Sequence, residues 1–114
     1  MIKNFYQAEP NLVENCHDGV GTIKSVELFD KFTTKMQFLH YTVLPPGTSI
    51  GAHKHEDDEE FYIILEGTGE MEVGGAKHNV VAGDVILNEP FGTHGLRNTS
   101  DKDELKILVF EVKQ

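Results

Sequence analysis

Glycine and proline interrupt this chain at short intervals: Gly19, Gly21, Pro45-Pro46-Gly47, Gly67, Gly69, Gly74-Gly75, Gly83, Pro90, Gly92 and Gly95. Between these breaks lie short segments rich in β-branched and aromatic residues. They predict strands over 20–29, 36–44, 50–54, 60–66, 69–73, 77–81, 84–88, 94–99 and 105–112. No stretch sustains a 3.6-residue apolar period over the ~11 residues an amphipathic helix needs. The nearest to one is a turn at 29–34, where Asp30 can cap Lys31 to Thr34. Many short strands separated by turn residues imply an all-β sandwich or barrel. The length of 114 residues suits one domain, 1–114, with no linker or repeat.

Charge narrows the partners. Ten Lys and Arg face 19 Asp and Glu, a formal net charge of −9. Nucleic acid and anionic membranes both select a basic footprint, so neither is expected as a partner. One cysteine, Cys16, excludes an internal disulfide framework and fits a reducing cytoplasm. The opening MIKNFYQAEP lacks the apolar core of a signal peptide, and no run reaches the ~18 apolar residues of a membrane-spanning helix. The chain therefore reads as cytoplasmic.

The acids cluster at Glu56-Asp57-Asp58-Glu59-Glu60. Four of the five read as a solvated loop. Glu60 differs because of its neighbours. His53 and His55 flank Lys54 in a strand-like segment, and side chains two apart on a strand share a face. Glu60 opens the next strand, with Tyr62 and Ile64 on its own face. Two histidines and a carboxylate so placed can form one face of a metal site, and His94 can supply a fourth ligand. Spacing alone leaves a second reading open, in which these are surface or hydrogen-bonded histidines.

The segment Gly47-TSIGA-His53-Lys-His55-EDDE-Glu60-FYIILE-Gly67 resembles the first motif of the cupin family, G-x5-H-x-H-x(3,4)-E-x6-G, at every interval. Gly83-DVILNEPFGT-His94-GLR-Asn98 resembles the second, G-x5-P-x-G-x2-H-x3-N, except in its interior. Glu89 and Phe91 stand where that pattern has Pro and Gly, with Pro90 and Gly92 one position later. The resemblance implies a double-stranded β-helix, the jelly-roll cupin barrel, with motifs at 47–67 and 83–98 and residues 1–30 as an N-terminal strand arm. It implies one divalent transition metal per chain on His53, His55, Glu60 and His94, with Asn98 a turn or strand-end residue and not a ligand. Gly47, Gly67 and Gly83 are then expected at positive φ or close approach. It also implies a homodimer, often made by exchanging N-terminal strands.

Three imidazoles and one carboxylate leave two octahedral positions open, which suits manganese or iron first, with nickel, zinc and copper as competitors. Tyr62 can serve a bound substrate or be an ordinary half-buried tyrosine. His40 can face the cavity as a general base or lie at an interface. A cavity lined by Ile64, Tyr62, Phe38, Leu96 and Phe110 is expected. Arg97, the sole arginine, falls on the face opposite His94, so no inward arginine is expected to hold a dianion. His17 and His78 read as loop histidines. Two functions compete: a metalloenzyme of dioxygenase, decarboxylase or isomerase type acting on a small oxygenated molecule, and a non-catalytic metal-dependent binding or sensor domain. A relic barrel without metal is a third.

Overall fold

A computed structural model describes residues 1–114. Ten strands follow in order: β1 (Asn11–Glu14), β2 (Thr22–Glu27), β3 (Met36–Leu44), β4 (Ser49–Lys54), β5 (Asp58–Glu66), β6 (Thr68–Val73), β7 (Ala76–Val81), β8 (Val85–Asn88), β9 (Thr93–Asn98) and β10 (Leu105–Lys113). They form two antiparallel sheets, one of six strands in the order β1-β2-β3-β10-β5-β8 and one of four in the order β4-β9-β6-β7. The jelly-roll expectation holds. No helix is long and apolar enough to cross a membrane.

Alternation explains the core. On β5 the buried residues are Asp58, Glu60, Tyr62 and Ile64, while Phe61, Ile63 and Leu65 turn to the other side. On β10 Leu105, Ile107 and Val109 point inward. With Ile23, Leu44, Ile50, Met71, Val80 and Leu96 they fill the space between the sheets. Leu44, Leu105 and Ile107 are fully buried, and burial of each such side chain contributes about 1.5–3 kcal/mol. The apolar filling lies toward one end of the barrel, leaving the other end to polar residues.

The outer face of the six-stranded sheet carries a second, smaller apolar cluster of Val26, Leu28 and Tyr41. Phe5 stacks on Tyr41 with ring centroids 4.1 Å apart, so part of the N-terminal segment lies against its own sheet. Phe110 belongs to this outer side, stacked on Phe61 at 4.7 Å. That corrects the expectation that it lines the cavity: period two assigns the inward face to Val109.

Three further departures concern local structure. Residues 29–34 form bends and no helical turn, since Phe32 alone among 31–34 offers an apolar anchor. The short strand β1 and a 3₁₀ turn at Cys16–Asp18 were not expected. Strand β5 begins at Asp58, two residues early, and so draws part of the acidic run into the sheet.

Candidate metal centre

Three strands from both sheets converge at the polar end. Strand β4 turns His53 inward, and His55 continues that phase just beyond the strand. Strand β9 sets His94 directly opposite His53 in register. Strand β5 contributes Glu60. The Nε2 atoms of His53 and His55 stand 3.0 Å apart. His94 Nε2 lies 2.9 Å from Glu60 Oε1, and His55 Nε2 lies 3.7 Å from the same oxygen. One ligand atom from each of the four residues falls within 4.8 Å of all the others. Donors held ~2.1 Å from one ion at right angles to each other are about 3 Å apart, so this spacing fits a first-row metal.

The outer ring nitrogens sharpen that fit. His53 Nδ1 is 2.8 Å from the Gly51 carbonyl, which can only accept, so this nitrogen carries the proton. His55 Nδ1 donates to Asp58 Oδ2 at 2.7 Å. In neutral rings both Nε2 atoms then present lone pairs, facing each other at 3.0 Å with no hydrogen between them. Burial, with His17, His94 and His55 adding to it, pushes His53 down to about 4. Its ring is neutral at ordinary pH, as a metal ligand must be. A cation between the two nitrogens resolves the repulsion.

Asp58 corrects the solvated-loop reading of its part of the acidic run. Its residue is 7% exposed. Hydrogen bonds from Glu111 and His55 outweigh its burial and take it down to about 2. Glu111 moves oppositely: burial first, then the Asp58 carboxylate, push it up to about 8, so it keeps its proton at neutral pH and donates to Asp58. Both residues lie on inward phases, Asp58 two before Glu60 on β5 and Glu111 two after Val109 on β10. Alternation extended outward along either strand reaches them.

Tyr62 is buried, with its ring 5.4 Å from that of His94. Burial, then the Glu60 charge, hold its phenol well above the usual tyrosine range. His40 stacks on Phe38 at 4.5 Å, and burial pushes it down. Asn88 pairs with Glu60 across β5 and β8, and its amide is buried with neither atom bonded to protein. Arg97 lies outside, as expected, 3.6 Å from Glu70. Asn98 donates to the carbonyls of Leu44 and Asp103, which makes it a structural tie.

Two spaces that share His17, Phe38, His53 and Glu60 on their walls meet at the cluster. A mouth of about 860 Å³ opens past His53, His55, Phe91 and Glu111. An inner chamber of about 280 Å³ is lined by Phe38, His40, Thr42, Tyr62, Ser25 and Val109, among others, with no lysine or arginine. Ile64 and Leu96, expected on its wall, lie in the packed core. His17, expected as an ordinary loop residue, reaches the site and stacks on His53 with centroids 3.6 Å apart. His78 is exposed on β7.

The shifted second motif keeps its turn by strain. Phe91 adopts φ 63°, a conformation costly for a bulky residue. His55 N–H donates to the Gly92 carbonyl, and Phe91 N–H to that of Glu56, tying this turn to the His55 segment. Gly47, Gly67 and Gly83 take positive φ as expected.

Comparison with known proteins agrees with this architecture. An oxalate-binding protein of Thermotoga maritima is 31% identical over 105 residues, covering 90% of this chain and 87% of that relative. A 5-nitrosalicylic acid 1,2-dioxygenase of Bradyrhizobium is 29% identical over 94 residues, which span 82% of this chain and 42% of that enzyme. The crystal structure of a predicted oxalate decarboxylase from Thermotoga maritima superposes with a TM-score of 0.96 at 29% identity, covering all of both chains. The family described as Cupin domain matches residues 40–111, well over half of the sequence, and the chain belongs to it.

Proposed function

We propose that this cupin is a metalloenzyme acting on a small oxygenated molecule, by dioxygenase, decarboxylase or isomerase chemistry. The observation that carries this reading is the pair of Nε2 atoms 3.0 Å apart on His53 and His55, beside Glu60 and His94. Those four residues would hold one divalent transition ion, with manganese or iron preferred. When bound, the ion would supply Lewis-acid polarisation and a template for an oxygen-bearing substrate. Asp58, backed by the Glu111 proton, holds the His55 ring in orientation. Tyr62, kept protonated by burial, is the proposed proton donor, and neutral His40 the proposed base at the chamber wall.

The chamber itself supports a restricted substrate class. No cation lines it, and carboxylates outnumber lysines around the mouth. Inside the chamber, a phosphorylated or polyanionic substrate would meet no countercharge beyond the ion. A small chelating acid, aromatic or aliphatic, is the better fit. The relatives are named for oxalate binding and for oxygenation of a salicylate, which supports the same class.

The second reading, a metal-dependent binder without turnover, is favoured by the name of the oxalate-binding relative. The protein reconstituted with Fe(II) or Mn(II) is screened with small acids, diketones and sugars for O₂ uptake, CO₂ release or isomerisation. Turnover of one of them is expected. Thermal shifts with small acids and no product across the panel would favour the binder. Less than about one first-row ion per chain after loading would overturn both.

A further inference from the structure

We propose that His17 is a ligand-contacting residue of the metal cavity, donating from its imidazole to an oxygen of the small acid and so setting which acids are held. This inference rests on the metal-site reading above and assigns a residue outside the four-membered cluster.

Position is the first support. His17, Phe38, His53 and Glu60 line both the mouth and the inner chamber. His17 therefore borders both spaces, beside His53 and Glu60. Ring orientation is the second. The imidazole stacks on His53 with centroids 3.6 Å apart and within 12° of parallel, so one face is taken by the stack and the ring nitrogens remain at its edge for hydrogen bonding. The hydrogen bonds of the site run His53 to Gly51, His55 to Asp58 and His94 to Glu60. They leave the His17 nitrogens for a ligand.

Backbone strain is the third. Asn15, His17 and Asp18 have φ values of 48°, 50° and 62°. Residues held this way persist only where surrounding structure enforces them, and they gather at ligand sites. The enforcement is visible. Asn15 Nδ2 donates to the Gly19 carbonyl at 3.0 Å, and the Val20 N–H donates to Ser49 Oγ at 2.8 Å. Where the turn crosses β4, a Cβ on Gly51 would collide with the His17 carbonyl oxygen, and one on Gly19 with that of Ser49. Two glycines thus allow backbone to press on backbone, which brings His17 over the strand that carries His53.

The chemistry reflects a lack in the chamber. With no lysine or arginine on its wall, the charge of an acid is met by the ion and by neutral donors. His17 is such a donor at the threshold.

The test uses the full chain loaded with Mn(II), with oxalate and salicylate as probes. Three proteins are compared: wild type, His17→Gly, which relieves the strained backbone, and His17→Phe, which keeps a stacking ring without a donor. Metal content and Mn(II) affinity are measured first, then acid affinity by calorimetry. Both variants are expected to keep wild-type Mn(II) affinity and to bind at least one acid about tenfold to a hundredfold more weakly, the range of a hydrogen bond to a charged group. Wild-type acid affinity in His17→Phe would overturn the proposal, because stacking alone would then suffice. Loss of Mn(II) in both variants would also overturn it and make His17 part of the metal-holding set. Wild type that binds Mn(II) but neither acid would overturn the proposal while leaving the metal site standing; wild type that fails to take up Mn(II) would overturn the metal reading and the proposal with it.

Discussion

The two parts of the site are held in place by opposite means. His53, His55, Glu60 and His94 come from regular strands or their ends, where alternation and register fix the direction of each side chain. His17 comes from a turn in which three residues sit at positive φ and two glycines permit backbone contact. The first arrangement follows from local periodicity and is cheap in strain. The second depends on contacts across the chain and stores strain. A metal cluster needs tight mutual distances, which a sheet supplies. A residue that meets a ligand need only reach the cavity edge, and a strained turn suffices.

The largest expected effect lies on the strand side. His55→Ala or Glu60→Gln should abolish transition-metal content, read by elemental analysis of untagged protein. Stoichiometric metal in both would remove the distinction between the cluster and its surroundings.

Next comes the turn. Gly51→Ala drives a methyl into the His17 carbonyl oxygen, and should cost about 2–3 kcal/mol, as other backbone clashes of this kind do. That lowers the melting temperature by ~10 °C or more in a domain of this size. Gly47→Ala, at φ 72° with open space around it, should cost only about 1 kcal/mol. Equal losses would show that close approach does not hold the turn.

Asp58→Asn tests how far the strand logic extends past the four central residues. It should weaken metal affinity about 10–100-fold while leaving the fold intact, because the His55 ring loses its charged anchor. Unchanged affinity would confine the working site to the cluster itself.

A pH effect should arise from Glu111 in metal-free protein. Its folded value, about 8, lies above the ordinary carboxylate range, so the folded state binds the extra proton. The stability this contributes is complete below about 4.5, the ordinary glutamate range, and is lost as pH rises through 8. His53 acts in the other direction: its folded value of about 4 means stability falls as pH drops from ~6.5 toward 4. Urea midpoints of wild type and Glu111→Gln at pH 5 and pH 8 separate the two. The gap in favour of wild type should shrink at the higher pH, and a constant gap would refute the assignment.

The smallest effect concerns the other strained turn. Phe91→Gly should raise stability by about 1 kcal/mol, since glycine occupies φ 63° without penalty. A loss instead would mean that the aromatic ring packs more usefully than its 57% exposure suggests.

These contrasts explain what could be read from residues alone. Strand β3 has the expected bounds because QFLHYTVL is continuous strand chemistry. The convergence of His53, His55, Glu60 and His94 was legible because period two and motif spacing encode it. Asp58 was not, since acids are poor strand formers and its partners, His55 and Glu111, hold it at the start of β5. His17 left no local trace: its place depends on a crossing with Gly51, thirty-four positions away. Phe91 was doubtful in sequence for a sound reason, and the turn survives through strain.

One irregularity in β4 has a wider consequence. Ile50 pairs with Leu96 and His53 with His94, so two residues on β4, Gly51 and Ala52, oppose Gly95 alone. This bulge resets the alternation, letting Ile50 and His53 face the same interior although they are three apart. The strand is thus written in two reading frames, one that packs the floor of the barrel and one that presents imidazoles at its mouth. Straightening the bulge without removing a residue, so that Gly51 and Ala52 each took a separate place in the ladder, would keep the first frame and invert the second, turning His53 and His55 to solvent. Within a cupin barrel, chemistry can be switched off by a change of phase that leaves the architecture standing.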